Sequence, residues 1–242
     1  MKNKIEKDYR IPLSLSDNTS RLSYTGFFTA FVDFASEHAA DLGMGKPEMD
    51  PKGLIWITSK TKICVYDRPQ MLSTVQLTTW PGPADKSRSN RYYTMHQDGR
   101  LLAEAKNEWA VFEPAAGKLH RVSEVFPKDL EICMDTACDV PYYKVSDDFS
   151  AGEILGTHTV TFSDLDTSNH MNNAAYVRRI FSAFDSKSIA ELPLKEMEVA
   201  YKHQCYEGEQ LTLKIRHNDT GFDVGVIKDD GRTAATMRFI CK

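Results

Sequence analysis

The chain repeats itself at long range, and this restricts its fold more than any other feature. Tyr66-Asp67-Arg68-Pro69-Gln70 precedes a run of strand formers from Leu72 to Trp80, and Tyr206-Glu207-Gly208-Glu209-Gln210 precedes a similar run from Leu211 to Arg216. Further on, Asp98-Gly99-Arg100 leads into Leu101 to Phe112, and Asp230-Gly231-Arg232 leads into Thr233 to Ile240. Asp-Gly is a strong hairpin signal, because glycine accepts the positive φ of a tight turn. The flanks alternate or are rich in β-branched and aromatic residues, which suit a pleated, half-buried surface. Each copy therefore reads as a set of antiparallel strands joined by tight turns.

A helical pattern stands ahead of each set. Phe27, Phe31, Phe34, Ala35, His38 and Leu42 recur at spacings of three and four, giving an amphipathic helix with an aromatic face that Gly43 and Gly45 end. In the second half Asn173 to Lys187 plays this part. A single helix wrapped by a curled antiparallel sheet is the hotdog arrangement. The expected fold is α+β: two tandem hotdog domains, at residues 1–114 and 157–242, with 115–156 as a connector. That connector lacks periodicity and contains Pro127, Pro141 and several acids. The helix face of Phe27, Phe31 and Phe34, with Trp56, is a candidate lining for an apolar tunnel, although large apolar residues are mostly core in any protein.

Composition narrows the setting. A net charge of −4 gives no global attraction to nucleic acid or an anionic membrane. No stretch approaches the roughly eighteen apolar residues of a membrane span, and the charged start from Met1 to Asp8 does not read as a secretory signal. Five scattered cysteines suggest reduced thiols and a cytoplasmic protein. Zinc-like spacing is absent, since Cys133 and Cys138 have no second pair. Neither a glycine-rich phosphate loop nor a G-x-S-x-G elbow occurs. No metal or cofactor is expected.

The chemistry concentrates in Asp164-Leu165-Asp166-Thr167-Ser168-Asn169-His170-Met171-Asn172-Asn173. This segment packs carboxylates, hydroxyls, an imidazole and carboxamides between the strand-like His158–Phe162 and the apolar helical pattern of Tyr176, Val177, Ile180, Phe181 and Phe184. Asp166 and His170 are four apart and share a face if the segment coils. Asn172 or Asn173 can cap the helix, and the free N–H groups at its start can hold an oxyanion. The corresponding stretch of the first copy, Ser20 to Gly26, has no carboxylate, imidazole or carboxamide, so one half carries chemistry and the other shape.

These residues resemble a known family. Ser163-Asp-Leu-Asp166-x-x-x-His170-x-Asn172-Asn173-x-x-Tyr176 in the second of two hotdog repeats is similar to the acyl-acyl-carrier-protein thioesterases of bacteria and plant plastids. Tyr201-Lys202-His203-Gln204-Cys205, Trp56, Thr79-Trp80-Pro81 and Glu108-Trp109-Ala-Val-Phe112 extend the likeness over nearly the whole chain. The resemblance implies hydrolysis of the thioester between a fatty acyl chain and the phosphopantetheine arm of acyl carrier protein, with Asp166 and His170 in the catalytic network.

Two departures bear on the mechanism. The position two after Asp166 is commonly a catalytic Asn and here is Ser168; the family's Glu is Gln204, which cannot accept a proton from water. His170 then serves as base, with Asp166 orienting it. Water, Ser168 or Cys205 attacks the carbonyl, water being preferred because buried cysteines are usually small apolar core residues. Gln204 positions the water or carbonyl, and the helix start at Asn172 and Asn173 holds the oxyanion.

The acidic carrier protein calls for a basic patch, for which Arg178, Arg179 and Lys202 stand beside the site. The densest basic run, Lys86 to Arg91, reads as a solvated loop between strands. Exposed sheet edges leave room for a homodimer. The competing readings are an acyl-CoA thioesterase, a non-catalytic acyl-binding hotdog protein and a hotdog dehydratase.

Overall fold

Two compact units, divided between Val140 and Pro141, make up the computed structural model, which describes residues 3–241. The first contains β1 (Ile5–Arg10), α1 (Tyr24–Asp41), α2 (Lys46–Met49), β2 (Ile55–Val65), β3 (Thr74–Asp85), β4 (Arg88–Gln97), β5 (Arg100–Glu113) and β6 (Lys118–His120). Its strands pair antiparallel in the order β1-β3-β4-β5-β2, with β6 added along the end of β5. The second contains β7 (Glu153–Thr159), α3 (Asn173–Ser182), α4 (Ser186–Glu191), β8 (Glu196–Tyr201), β9 (Gln210–Asn218), β10 (Gly221–Lys228) and β11 (Thr233–Ile240). Here the antiparallel order is β8-β11-β10-β9-β7. Each unit is a helix laid on a curled antiparallel sheet, the hotdog arrangement.

Local chemistry sets the helix ends. Ser23 caps α1 by accepting the Gly26 N–H at 2.9 Å, and Gly43 follows the helix at a φ of 69°. The second helix is shorter than the apolar pattern suggests. It stops at Ser182, and Asp185 opens a new helix, α4, by accepting the Lys187 and Ser188 N–H groups. Near the site, β7 starts at Glu153 and ends at Thr159, earlier than the strand-like His158–Phe162 implied. Phe162–Asp164 instead form a 3-10 turn, because Thr161 and Asp164 bond reciprocally in a capping box. The two Asp-Gly pairs also build different turns. Asp98 and Gly99 both take positive φ, 51° and 77°, in a two-residue hairpin, whereas between β10 and β11 only Gly231 does, at 81°.

Side-chain alternation gives each sheet an inner and an outer buried face. In the first unit Tyr93 meets Phe31 of α1 at a ring distance of 5.1 Å, and Arg91 reaches His38 of α1. The basic run Lys86–Arg91 is therefore not a solvated loop: its turn is only Lys86 and Ser87, and Arg91 enters the sheet interior at 6% exposure. The outer face lies under residues 130–140. Trp80 donates its indole N–H to the Asp135 carbonyl at 2.8 Å, Lys106 bonds the Val140 carbonyl at 2.7 Å, and the Cys64 and Cys138 sulfurs stand 3.3 Å apart.

In the second unit the inner face carries Met197, Val199, Val224, Met237 and Phe239, with Phe239 against Phe181 of α3 at 5.4 Å. The outer face carries a row of charges across neighbouring strands, Glu198, Arg238, Asp223 and Arg216, in direct register. Arg238 binds both Asp223 oxygens at 2.7 Å, Arg216 adds a contact at 3.2 Å, and Glu198 accepts the Tyr143 N–H at 2.8 Å and 3.0 Å. Residues 141–152 cover this row. Tyr143 lies under the Arg238 guanidinium, and Phe149 lies under that of Arg216. Gly225 permits this cover, because a Cβ there would sit 2.5 Å from the Phe149 ring. The segment 115–156 thus contains β6, a 3-10 turn at Val122–Glu124, the unit boundary and these two covering stretches.

Candidate active site

The polar segment ahead of α3 is a tight loop, not a coil of helix. The Asp166 N–H bonds the His170 carbonyl at 2.8 Å, and Leu165 and Met171 form a bridge that closes the loop. The Asp166 carboxylate turns back onto its own loop, accepting the Ser168 N–H at 2.7 Å and the His170 N–H at 3.2 Å. This is the usual competition of an aspartate side chain for nearby backbone donors. Asn169 sits at a φ of 60°, a left-handed conformation that Asn tolerates. Asp166 therefore fixes the backbone that presents His170 and does not bond the imidazole.

Residues 203–206 form the opposite wall. The Met171 N–H bonds the Cys205 carbonyl at 2.8 Å, and Tyr176 donates to the His203 carbonyl at 3.3 Å. The His170 ring meets Tyr206 edge-on at 5.2 Å, and the Tyr206 hydroxyl donates to the Gln204 carboxamide oxygen at 3.2 Å. Tyr206 thus brings His170 and Gln204 to one exposed place. Lys228 steadies this wall by bonding the Gln204 carbonyl and Glu209, each at 2.9 Å. Cys205 lies behind it, 0% exposed, and burial pushes its thiol above the ordinary value despite the neighbouring Tyr176 and Lys228.

Asn172 is the cap of α3. Its side-chain oxygen accepts the Ala174 N–H at 2.8 Å, and its own N–H bonds the Asp164 carbonyl at 2.7 Å. Asn173 is the first helical residue, and its carbonyl accepts the Tyr201 hydroxyl at 3.2 Å. Its backbone N–H is one of the donors that a helix start leaves without an intrahelical partner. Replacing Asn172 with Ala is expected to cost about 1 kcal/mol in a denaturant melt, the usual loss for an N-cap. A neutral result would show that α3 is held by its packed face alone.

The three candidate docking cations differ. Arg178 is exposed on α3. Lys202 is paired with Asp147. Arg179 is engaged by Asp164, whose carboxylate is 0% exposed. Arg179 Nε and Nη2 donate to Asp164 Oδ1 at 2.8 Å and 2.6 Å; His158 Nε2 donates to Oδ2 at 2.7 Å, joined there by the Thr161 N–H at 3.0 Å. Burial alone would raise the Asp164 pKa, but the Thr161 N–H, His158 and Arg179 outweigh it and bring the value down to about 2. The sequence offered one local sign of this cluster, the spacing of Thr161 and Asp164. His158 and Arg179 join it only in space.

In the first unit Phe27, Phe31 and Phe34 are buried along α1, with Phe31 against Tyr93. Trp56 is half-buried, donates to the Met44 carbonyl at 2.9 Å and packs on Trp109 and Phe126. Among the described residues no His, Cys, Asp and Glu group is arranged to hold a metal ion, and no helix is long and apolar enough to cross a membrane.

This fold and site define a tandem-hotdog protein with a polar loop at the start of the second helix. A solved acyl-ACP thioesterase from Bacteroides thetaiotaomicron superposes with a TM-score of 0.89 at 19% identity, covering 98% of this chain and 97% of that one. The 12:0-ACP thioesterase of Umbellularia californica superposes with a TM-score of 0.83 at 15% identity, covering 99% and 97%. The family models for the acyl-ACP thioesterase N-terminal domain and C-terminal domain match residues 2–130 and 151–239. The chain belongs to the acyl-ACP thioesterase family. It is 25% identical over 192 residues to the chloroplastic palmitoyl-acyl carrier protein thioesterase of Arabidopsis thaliana, a match that covers 76% of this chain and 46% of that protein. The chain spans about half the length of the curated relatives it matches.

Proposed function

We propose that the protein hydrolyses the thioester of a fatty acyl chain on acyl carrier protein, releasing the free acid and the carrier thiol in the cytoplasm. The first unit, with Phe27, Phe31, Phe34 and Trp56, holds the acyl chain, and the second does the chemistry. One observation carries this reading: His170 and Gln204 meet at Tyr206 beside the start of α3.

In this mechanism His170 accepts a proton from water as the oxygen attacks the thioester carbonyl. An imidazole is the side chain best suited to take up and return a proton near neutral pH. The oxyanion takes the Asn173 N–H at the positive end of α3. Collapse breaks the C–S bond, and His170 returns the proton to the departing thiolate. Gln204 positions the water by hydrogen bonding, while Asp166 acts through the loop backbone that holds His170 in place. Ser168 contributes its N–H to that same loop. Arg178 is the docking cation for the acidic carrier, since Arg179 and Lys202 are committed to Asp164 and Asp147.

Burial of the Cys205 thiol disfavours a thiolate nucleophile. Cys205→Ser is therefore expected to keep turnover within about threefold of wild type, a change of less than 1 kcal/mol in the barrier. Loss of activity in that variant, with a normal melt, would assign the attack to sulfur. Release of free fatty acid from matched acyl-carrier-protein and acyl-CoA thioesters tests the carrier. Preference for the carrier-protein ester supports this reading, preference for CoA supports an acyl-CoA thioesterase, and acyl binding without release supports a binding protein.

A further inference from the structure

The interior of the first unit holds polar groups that its packing does not satisfy. Arg91 of β4 faces Asn107 of β5 in direct register, and Asn107 in turn faces Thr61 of β2. Asn107 is 1% exposed, and neither its carboxamide oxygen nor its nitrogen has a hydrogen-bond partner among the described residues. The Trp109 indole N–H turns toward the Tyr93 phenol oxygen, which leaves the O–H of that fully buried phenol without an acceptor among the described residues. Arg91 donates to His38 Nδ1 at 3.0 Å and lies 3.5 Å from the Thr79 hydroxyl, with no carboxylate partner among the described residues. A guanidinium only donates, so the imidazole nitrogen it meets must be an acceptor and His38 cannot supply a counter-charge there. Burial lowers the Arg91 pKa, as an unpaired interior cation requires.

Such an arrangement is costly in an interior built only to hold hydrocarbon. Each unpartnered buried polar group costs about 1–3 kcal/mol, and native interiors keep such groups rare. The unused donors are the Asn107 carboxamide NH₂ and the Tyr93 O–H, beside a guanidinium that lacks a carboxylate. They lie on the face of the sheet that carries Phe31 of α1, which the proposed function assigns to the acyl chain.

The geometry points to a polar subsite in the first unit, formed by Arg91, Tyr93, Asn107 and Trp109, that takes an acyl chain bearing an acceptor oxygen, a hydroxyl or a carboxylate, along its length. The inference rests on the reading of this unit as the acyl-holding one. An oxygen on the chain would accept from Asn107 and from the Tyr93 hydroxyl, and a carboxylate would in addition neutralise Arg91.

Calorimetry of the whole protein with free acids of one chain length tests this without requiring hydrolysis. The probes are the plain fatty acid, its mid-chain hydroxy isomers, the ω-hydroxy acid and the ω-dicarboxylic acid. At least one oxygenated acid is expected to bind about tenfold tighter than the plain acid, the scale of one or two buried hydrogen bonds. Tyr93→Phe and Asn107→Leu should reduce that preference to within about threefold. Arg91→Met should weaken a carboxylate ligand more than a hydroxyl one. Equal binding of plain and oxygenated acids by the wild-type protein overturns the inference while leaving the acyl-holding reading intact, with interior water as the partner of these groups. Failure of every acid to bind overturns both. A loss of thioesterase activity on all substrates, with the oxygenated preference retained, would count against the proposed reaction alone.

Discussion

His170→Ala is expected to lower the turnover of acyl-carrier-protein thioesters by about 10²–10⁴-fold, the usual worth of a positioned general base. The melt should stay near that of the wild type, since the imidazole is half-exposed and its one ring contact is the edge of Tyr206. KM should change little if His170 acts on the water and not on the bound chain. The comparison with Gln204→Glu is informative. A carboxylate at that place adds a second group able to take a proton, so the double variant His170→Ala with Gln204→Glu should regain part of the lost rate. A single variant His170→Ala that hydrolyses at the wild-type rate would remove His170 from the mechanism and leave the loop as scaffold.

Asp164→Ala should be the most damaging single change to stability in the second unit, costing about 3–5 kcal/mol in a denaturant melt. Removing one partner of a buried ion pair leaves the others without compensation. Here the removed carboxylate serves three neighbours at once: Arg179, His158 and the Thr161 N–H. Acidity gives an independent check with a definite sign. The folded pKa of about 2 lies below the ordinary 3.8, so the folded state binds this proton more weakly than the unfolded chain. The stabilisation is complete above the ordinary value and is lost as pH falls through the folded one. The stability gap between wild type and Asp164→Ala should hold steady from neutrality to about pH 4 and then shrink toward pH 2. A gap that stays constant through that window would mean that the pairing with Arg179 contributes nothing in solution.

The sequence disclosed periodic features well and spatial ones poorly. The first helix was legible because Phe27, Phe31 and Phe34 repeat at helical spacing over one continuous stretch. The second helix kept that apolar pattern past its real end. Asp185 competes for the backbone N–H groups of Lys187 and Ser188, and a local cap overrides a weak continuing stripe. The loop Asp166–Asn172 stood out because chemistry-bearing residues crowd a strand–helix junction. The direction of the Asp166 carboxylate could not be read, since backbone donors and an imidazole four residues on are equally near in sequence. Asp164 gathers His158, 6 residues before it, and Arg179, 15 residues after it, yet no short pattern joins them. The covering stretches over the two outer faces were hidden for a related reason. Each touches its sheet through single residues, such as Trp80 to Asp135 or Phe149 on Gly225, and single contacts leave no period.

The row Glu198, Arg238, Asp223 and Arg216 has a consequence for how the second sheet assembles. Successive strand residues point to opposite faces, so a slip of one residue in any of these strands would drive its charge toward α3 and its neighbour's apolar side chain outward. The alternating signs add a second penalty. A slip of two residues keeps the faces but parts Arg238 from Asp223 and leaves buried charges unmatched. Hydrophobic pairing is less selective, because apolar contacts are not directional and a core tolerates rearrangement that conserves its volume. The charge row makes strand identity legible to the folding chain itself, so that β11 settles between β8 and β10 in one alignment and rejects its near misses.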